Sequence, residues 1–195
     1  TITSSYTGVD VSNYSVTDQT STTSDISAKV LTATASASDK VYNGSSASTT
    51  SLSLSGFIGS ETVTSTNSST FNNKNVGTGK TVTVNSITLA DGANGGLASN
   101  YSINTGQTST ANVTAKTLTV SGITTSNKVY DSTTTATTTL SFSGLIGSET
   151  INNTNFSTFD NKNIGTSKTV TVNSVILVDG SNGGLANNYS INSGQ

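Results

Sequence analysis

Lys40-Val41-Tyr42-Asn43 returns 88 residues later as Lys128-Val129-Tyr130-Asp131. From there the register holds without a gap. Ser55-Gly56-Phe57-Ile58-Gly59-Ser60-Glu61-Thr62 matches Ser143-Gly144-Leu145-Ile146-Gly147-Ser148-Glu149-Thr150. Asn73-Lys74-Asn75-Val76-Gly77-Thr78 matches Asn161-Lys162-Asn163-Ile164-Gly165-Thr166. Asn100-Tyr101-Ser102-Ile103-Asn104 matches Asn188-Tyr189-Ser190-Ile191-Asn192. A fixed period of this kind means that the chain folds as repeated units. A third, partial copy opens it: Asn13-Tyr14-Ser15-Val16 precedes Asn100-Tyr101-Ser102-Ile103 by 87 residues. Each of these two tails reaches a Lys, Lys29 or Lys116, fifteen residues after its Tyr. Residues 1–29 therefore read as the end of one repeat, 30–116 as a complete repeat, and 117–195 as a repeat lacking its last strand. No Gly/Ser linker or charge run separates the units, which predicts close coupling between neighbours.

A period near 88 residues is too long for the common solenoids and suits a small sandwich domain. Short β runs alternate with turn signals, as an all-β sandwich requires: Val30 to Ala35, Lys40 to Tyr42 before Asn43-Gly44, Leu52 and Leu54 before Gly56, Thr62 to Thr66, and Thr81 to Leu89. In the last run the apolar residues change phase between Val84 and Ile87, so a bulge is expected at Asn85-Ser86 and at its copy Asn173-Ser174. Tyr101 and Ile103 are expected to open a final strand running towards Val113. No helical period persists, and Thr, Ser, Asn and Gly all disfavour a helix. The expected fold is all-β: tandem β-sandwich-like domains of about 88 residues, arranged end to end. The expected core of the complete repeat is Leu31, Val41, Leu52, Leu54, Ile58, Val63, Phe71, Val82, Val84, Ile87, Leu89, Leu97, Tyr101 and Ile103.

Composition narrows function. Thr, Ser and Asn number 39, 35 and 22 among 195 residues, and only 31% are hydrophobic. Net charge is −2, with eight Lys and no Arg, which argues against a nucleic-acid partner, since that needs a basic face. There is no Cys, His, Trp, Met or Pro. Thiolate and imidazole chemistry are therefore absent. No apolar run approaches the ~20 residues of a membrane span, so no membrane insertion by a helix is expected. Nor does a basic-then-apolar signal segment open the chain, which reads as an internal piece of something longer.

These repeats resemble the YDG domain, named for a Tyr-Asp-Gly turn, which recurs in tandem in very large filamentous-haemagglutinin-like surface adhesins of Gram-negative bacteria. The resemblance rests on Lys128-Val129-Tyr130-Asp131, the Ser-Gly-x-x-Gly segments, Phe71 to Thr78, Lys80-Thr81-Val82-Thr83-Val84, Asn100 to Ile103 and Ala115-Lys116. It spans nearly the whole chain. The signature turns read Tyr42-Asn43-Gly44 and Tyr130-Asp131-Ser132, so neither copy is intact, although Asn and Asp both suit a tight turn. Ala28 and Ala115 stand where the family often has Pro before the closing Lys. The resemblance implies extracellular β-sandwich repeats that extend a bacterial surface protein. It assigns no ligand, because fold does not imply function.

Asp39, Glu61, Asp91, Glu149 and Asp179 are the carboxylates available for glycosidase-type catalysis, but their turn-like contexts read as capping, and no enzyme is expected. Asp91, Asn94, Asp179 and Asn182 are the candidate calcium ligands, in loops too poor in oxygen for the six to eight that calcium takes. Neither this nor any other cofactor is expected. Lys74 and Lys80 with Glu61 suggest an acid-assisted Lys–Asn amide bond; the alternative is Lys that guard loops and strand edges. The Thr-rich stretch 133–139 suggests a hydroxyl array for ice or carbohydrate, or else a polar edge. Tyr42 and Tyr101, fixed in the repeat, read as core rather than sugar platforms.

The leading expectation is a structural stalk of a secreted or surface-anchored bacterial adhesin or extracellular fibre, spacing an adhesive region from the cell. Its partners would be adjacent repeats of the same chain and like chains in a fibre. The alternatives are a multivalent module for glycans or a cell-surface ligand, and a filament subunit in which an unfilled sheet edge accepts a strand from another chain.

Overall fold

A computed structural model describes residues 5–15, 17 and 22–192. Among these residues there is no α-helix. The first full repeat contains β1 (Lys29–Ala37), β2 (Lys40–Val41), β3 (Ala47–Ser48), β4 (Thr50–Ser55), β5 (Val63–Phe71), β6 (Gly77–Asp91), β7 (Tyr101–Ile103) and β8 (Thr108–Thr114). The second contains β9 (Lys116–Thr125), β10 (Thr135–Ala136), β11 (Thr138–Ser143), β12 (Ile151–Phe159), β13 (Val170–Asp179) and β14 (Tyr189–Ile191). Thr is the commonest residue of these strands, and its branched Cβ suits a pleated, half-buried surface.

Each repeat pairs two sheets. In the first the orders are β4-β1-β7 and β2-β8-β6-β5-β3; in the second they are β11-β9-β14 and β10-β12-β13. The all-β tandem architecture is as expected. Parallel pairing draws the beginning and end of each repeat together: Lys29 lies opposite Tyr101, and Lys116 opposite Tyr189. β5 runs from Val63 to Phe71 and β6 returns, with Phe71 opposite Val82 and Val63 opposite Asp91. Nine residues of strand span roughly 30 Å. A repeat therefore has two distinct ends. One carries Tyr101 with the Gly56–Glu61 and Asp91–Asn100 loops; the other carries Tyr42 with the loop of residues 72–76.

Two expected irregularities are present. The β5/β6 register slips between Ser68 and Ser69, leaving Asn85 as the extra residue, and β12/β13 slips between Phe156 and Ser157, leaving Asn173. A third bulge, in β9 opposite Ser141/Phe142, leaves Ser121 unpaired. β1 pairs with β4 without such a slip. The bulge at Ser121 thus accounts for the change in repeat spacing from 87, between Lys29 and Lys116, to 88, between Lys40 and Lys128.

Several core expectations need correction. Leu31, Val63, Phe71, Val82, Val84 and Tyr101 are buried, but Val41, Ile58 and Leu97 are exposed. Val41 points outward because the next residue, Tyr42, points in and is 1% exposed. Ala111, Val113 and Leu118 are buried as well. The strand expected to run from Tyr101 to Val113 is two strands in different sheets. The chain leaves one at Ile103, turns through Gly106 at φ +95° and enters the other at Thr108.

Part of the interior is polar. Ser157 and Thr138 are buried. Thr138 Oγ1 donates to Asn155 Oδ1 at 2.6 Å and lies 2.7 Å from Ser157 Oγ. Thr50, Asn67 and Ser69 form the matching cluster in the first repeat. Thr138 thus belongs to the interior and not to an exposed hydroxyl array. In the opening segment, Val11–Asn13 form the same 3-10 turn before Tyr14 that Ala98–Asn100 and Ala186–Asn188 form before Tyr101 and Tyr189. Tyr14 itself is exposed. The fourth residue of the Asn13 to Val16 match lies outside the described residues.

Candidate functional site

β8 ends at Thr114 and β9 begins at Lys116, so Ala115 alone links the two repeats. A one-residue connection between strands leaves little room for hinge motion. The Tyr42 end of the first repeat faces the Tyr189 end of the second, and a carboxylate sits between them. Glu149 is buried, and its Oε1 accepts from Tyr42 Oη at 2.7 Å and from Lys74 Nζ at 2.9 Å. Its Oε2 accepts from Tyr189 Oη at 2.6 Å. Tyr42 and Lys74 belong to the first repeat, Glu149 and Tyr189 to the second. The two Tyr rings meet edge to face with centroids 5.5 Å apart. Beside them, Val76 N donates to Asn188 Oδ1 at 2.9 Å, and Asn188 Nδ2 donates to Asn75 Oδ1 at 3.1 Å.

The apolar core follows the same line. Tyr42, Phe71, Val82, Ala111 and Val113 of the first repeat form one cluster with Leu118 and Tyr189 of the second. Val76 on one side and Leu145, Ile146 and Leu177 on the other pack against it. Leu31, Val63 and Tyr101, the counterparts of Leu118, Ile151 and Tyr189, form a separate cluster at the other end of the first repeat. The packing unit therefore straddles the repeat boundary.

Electrostatics reinforces the contact. Burial pushes the Glu149 carboxyl up, but hydrogen bonds from Tyr189, Tyr42 and Lys74 outweigh it and hold the group below its ordinary value. Burial and the bond to Glu149 push the Tyr189 phenol up to about 12. Tyr42 is raised for the same two reasons. Glu149 is thus a charged acceptor at neutral pH and both phenols are neutral donors.

The signature turns serve this junction. Asn43 Oδ1 accepts from Ser45 N at 3.1 Å and from Lys40 Nζ at 3.0 Å, closing the turn behind Tyr42. Gly44 follows at φ +77°, and a Cβ there would lie 2.8 Å from Ile146 Cγ2 of the next repeat. In the second copy Asp131 Oδ1 accepts from Lys128 Nζ, Thr133 N and Thr133 Oγ1. Lys128, above all, lowers the Asp131 pKa to about 2. Ser132 takes the left-handed position at φ +61°. Tyr130 is 55% exposed.

The candidate calcium ligands build loops. Asp91 Oδ1 accepts from Ala98 N and Asp179 Oδ1 from Ala186 N, each at 2.7 Å. Asn94 Nδ2 donates to Ser60 O and Asn182 Nδ2 to Ser148 O. Two glycines that follow in these loops are steric: a Cβ on Gly96 or Gly184 would lie 1.9 Å from Thr62 O or Thr150 O. Among the described residues no three acids come together as a metal cluster. Of the other acids, Asp39 binds Asn112 through both oxygens, and Glu61 Oε2 accepts from Tyr101.

The grouping of Lys74 and Lys80 with Glu61 is corrected: Lys74 meets Glu149 of the following repeat. Lys80 does not guard an edge either. It is buried, and its Nζ holds the 72–76 loop through Asn73 Oδ1 and Asn75 O.

A family model, the YDG domain, matches residues 27–111 and again 114–195. The chain belongs to the YDG-domain family. No curated protein and no solved structure matches it. In the first YDG repeat the namesake Tyr, Tyr42, is a contact between domains. The sequence shows Tyr42, Lys74 and Glu149 as fixed positions of the repeat, but spacing alone does not say whether such a position is met by its own repeat or by the next.

Proposed function

We propose that this chain is a length of stalk in a bacterial surface protein or extracellular fibre, and that its mechanism is mechanical. The observation that carries this reading is the apolar core shared across the repeat boundary, from Val113 and Tyr42 to Leu118 and Tyr189. The contacting faces lie at opposite ends of the strands, so stacking adds length rather than bulk. Both halves recur in each YDG repeat: Glu61, Asn100 and Tyr101 match Glu149, Asn188 and Tyr189, while Tyr130, Lys162 and Asn163 match Tyr42, Lys74 and Asn75. Such an interface is heterologous and does not close on itself, so it propagates along an array. A hydroxyl-rich surface of low charge suits an exposed shaft outside the cell.

Small-angle scattering on arrays of two, three and four repeats, with and without calcium, tests this. A maximum dimension that rises by a constant step per repeat, unchanged by calcium, supports the stalk. Compact or freely jointed particles contradict it and favour independent glycan-binding modules. The same open-ended polarity is what a fibre subunit would use between chains. Growth of the two-repeat chain with concentration distinguishes that reading.

A further inference from the structure

Three Asn-Gly pairs stand in the chain, at Asn43-Gly44, Asn94-Gly95 and Asn182-Gly183, and all three Asn are exposed. In such a pair the glycine backbone nitrogen reaches the Asn side-chain carbon most readily, because no Cβ restricts it. The three are held in opposite ways. Asn43 Oδ1 accepts from Ser45 N at 3.1 Å and from Lys40 Nζ at 3.0 Å. Lys40 is anchored in this position, since its Nζ also donates to Ser45 O at 2.6 Å and to Ala47 O at 2.8 Å. Among the described residues, Asn43 Nδ2 and Gly44 N have no hydrogen-bond partner.

Asn94 and Asn182 show the reverse. Their Nδ2 groups donate to Ser60 O and Ser148 O at 2.9 and 3.0 Å, and among the described residues no donor reaches either Oδ1. Both also sit in left-handed backbone, at φ +55° and +57°. A donor on the carbonyl oxygen stabilises the negative charge that develops there during attack. A bond from the amide nitrogen instead opposes its departure. The second copy shows that the Asn43 turn suits an acid. Asp131 Oδ1 lies 2.8 Å from Lys128 Nζ and accepts from Thr133 N at 2.9 Å. These are the partners that Lys40 and Ser45 supply to Asn43, with a carboxylate in place of the amide.

We infer that Asn43 is a self-modifying site, which deamidates to an acid with Lys40 and the Ser45 amide as activating donors. Gly44 N bonds to Asn43 Cγ, the Cγ–Nδ2 bond breaks, and the Gly44 amide proton leaves with Nδ2 as ammonia. Water then opens the five-membered imide and restores the N–H of Gly44. Opening at Cγ gives aspartate, which pairs with Lys40 as Asp131 pairs with Lys128. Opening at the main-chain carbonyl gives isoaspartate, which adds one carbon to the backbone between Tyr42 and Gly44. Tyr42 bonds Glu149, and a Cβ on Gly44 would already meet Ile146, so this second product loosens the junction. Water is the only co-reactant. The inference does not depend on the stalk reading.

The test ages the two-repeat chain in warm, mildly alkaline buffer and follows each Asn by peptide mapping and mass spectrometry. The expected result is conversion at Asn43 about tenfold or more faster than at Asn94 or Asn182, the scale of one charge-assisted hydrogen bond. In the urea-unfolded chain the three rates converge. Lys40→Met, checked as folded by circular dichroism, slows Asn43 by about tenfold on the same scale and leaves the other two unchanged. Asn43→Asp, the aspartate product made directly, keeps or raises the urea midpoint of the parent. Equal rates in the folded chain, a slower Asn43, or rates that stay equally far apart in urea overturn the proposal. So does a Lys40→Met chain that reacts as fast as the parent, or an Asn43→Asp chain with a lowered midpoint.

Discussion

Tyr42 donates a 2.7 Å hydrogen bond to Glu149, 107 residues further along the chain and in the next repeat. Glu61, at the same place in the first repeat, keeps the bond from its own Tyr101 at 2.6 Å. Equal substitutions at the two positions therefore separate the junction from the repeat. Glu149→Gln is expected to destabilise the chain by about 1–3 kcal/mol, since it leaves buried donors poorly matched. Glu61→Gln is expected to shift stability less. Urea unfolding of both variants checks the difference.

Gly44 offers a second separation. Gly44→Ala meets both a left-handed backbone at φ +77° and Ile146 Cγ2 at 2.8 Å, while Gly59→Ala at φ +56° meets no atom within 4 Å. The backbone term is about 1–2 kcal/mol at each. Gly44→Ala is expected to cost more than Gly59→Ala, and the excess should shrink in an Ile146→Ala background. A double-mutant cycle measures that coupling.

The junction should also respond to pH. The folded Glu149 pKa lies below its ordinary value of 4.5. Its contribution is therefore fully present above that value and is lost as pH falls through the folded pKa. The Tyr189 pKa is raised to about 12 from 10.0, so its contribution is full below 10 and is lost as pH rises through about 12. Thermal melts across pH are expected to show a plateau between these limits. Glu149→Gln should flatten the acid side.

Much of the fold was legible because period-2 patterns and glycine turns act locally. The phase change between Val84 and Ile87 located the bulge at Asn85, and the repeat itself set the two-unit organisation. What sequence did not reveal was non-local. Tyr101 to Val113 reads as one strand, yet Gly106 carries the chain from one sheet to the other. Ala111 is too small to mark a core position by hydrophobicity, and it is buried because β8 pairs beside β6 and brings it into the cluster with Val82 and Phe71. Ile58 looks like core, yet it is 57% exposed, while its counterpart Ile146 packs against the preceding repeat. The junction stayed hidden for the same reason, since repeat positions carry no sign of which unit they touch.

Leu118 tests the shared core from the apolar side. It is fully buried and clusters with Val82, Val113 and Tyr42 across the boundary. Leu118→Ala is expected to cost about 2–5 kcal/mol. Hydrogen exchange should quicken in β6 and β8 of the first repeat as well as in β9.

The central claim is that the two repeats move as one body. Residual dipolar couplings test it most directly, measured separately for residues 29–114 and 116–192 of the weakly aligned chain. The account expects both sets to fit a single alignment tensor at neutral pH, and Glu149→Ala to reduce that agreement. Two tensors of clearly different magnitude in the unaltered chain would contradict it, because they would mean that the repeats tumble independently despite the single residue between them.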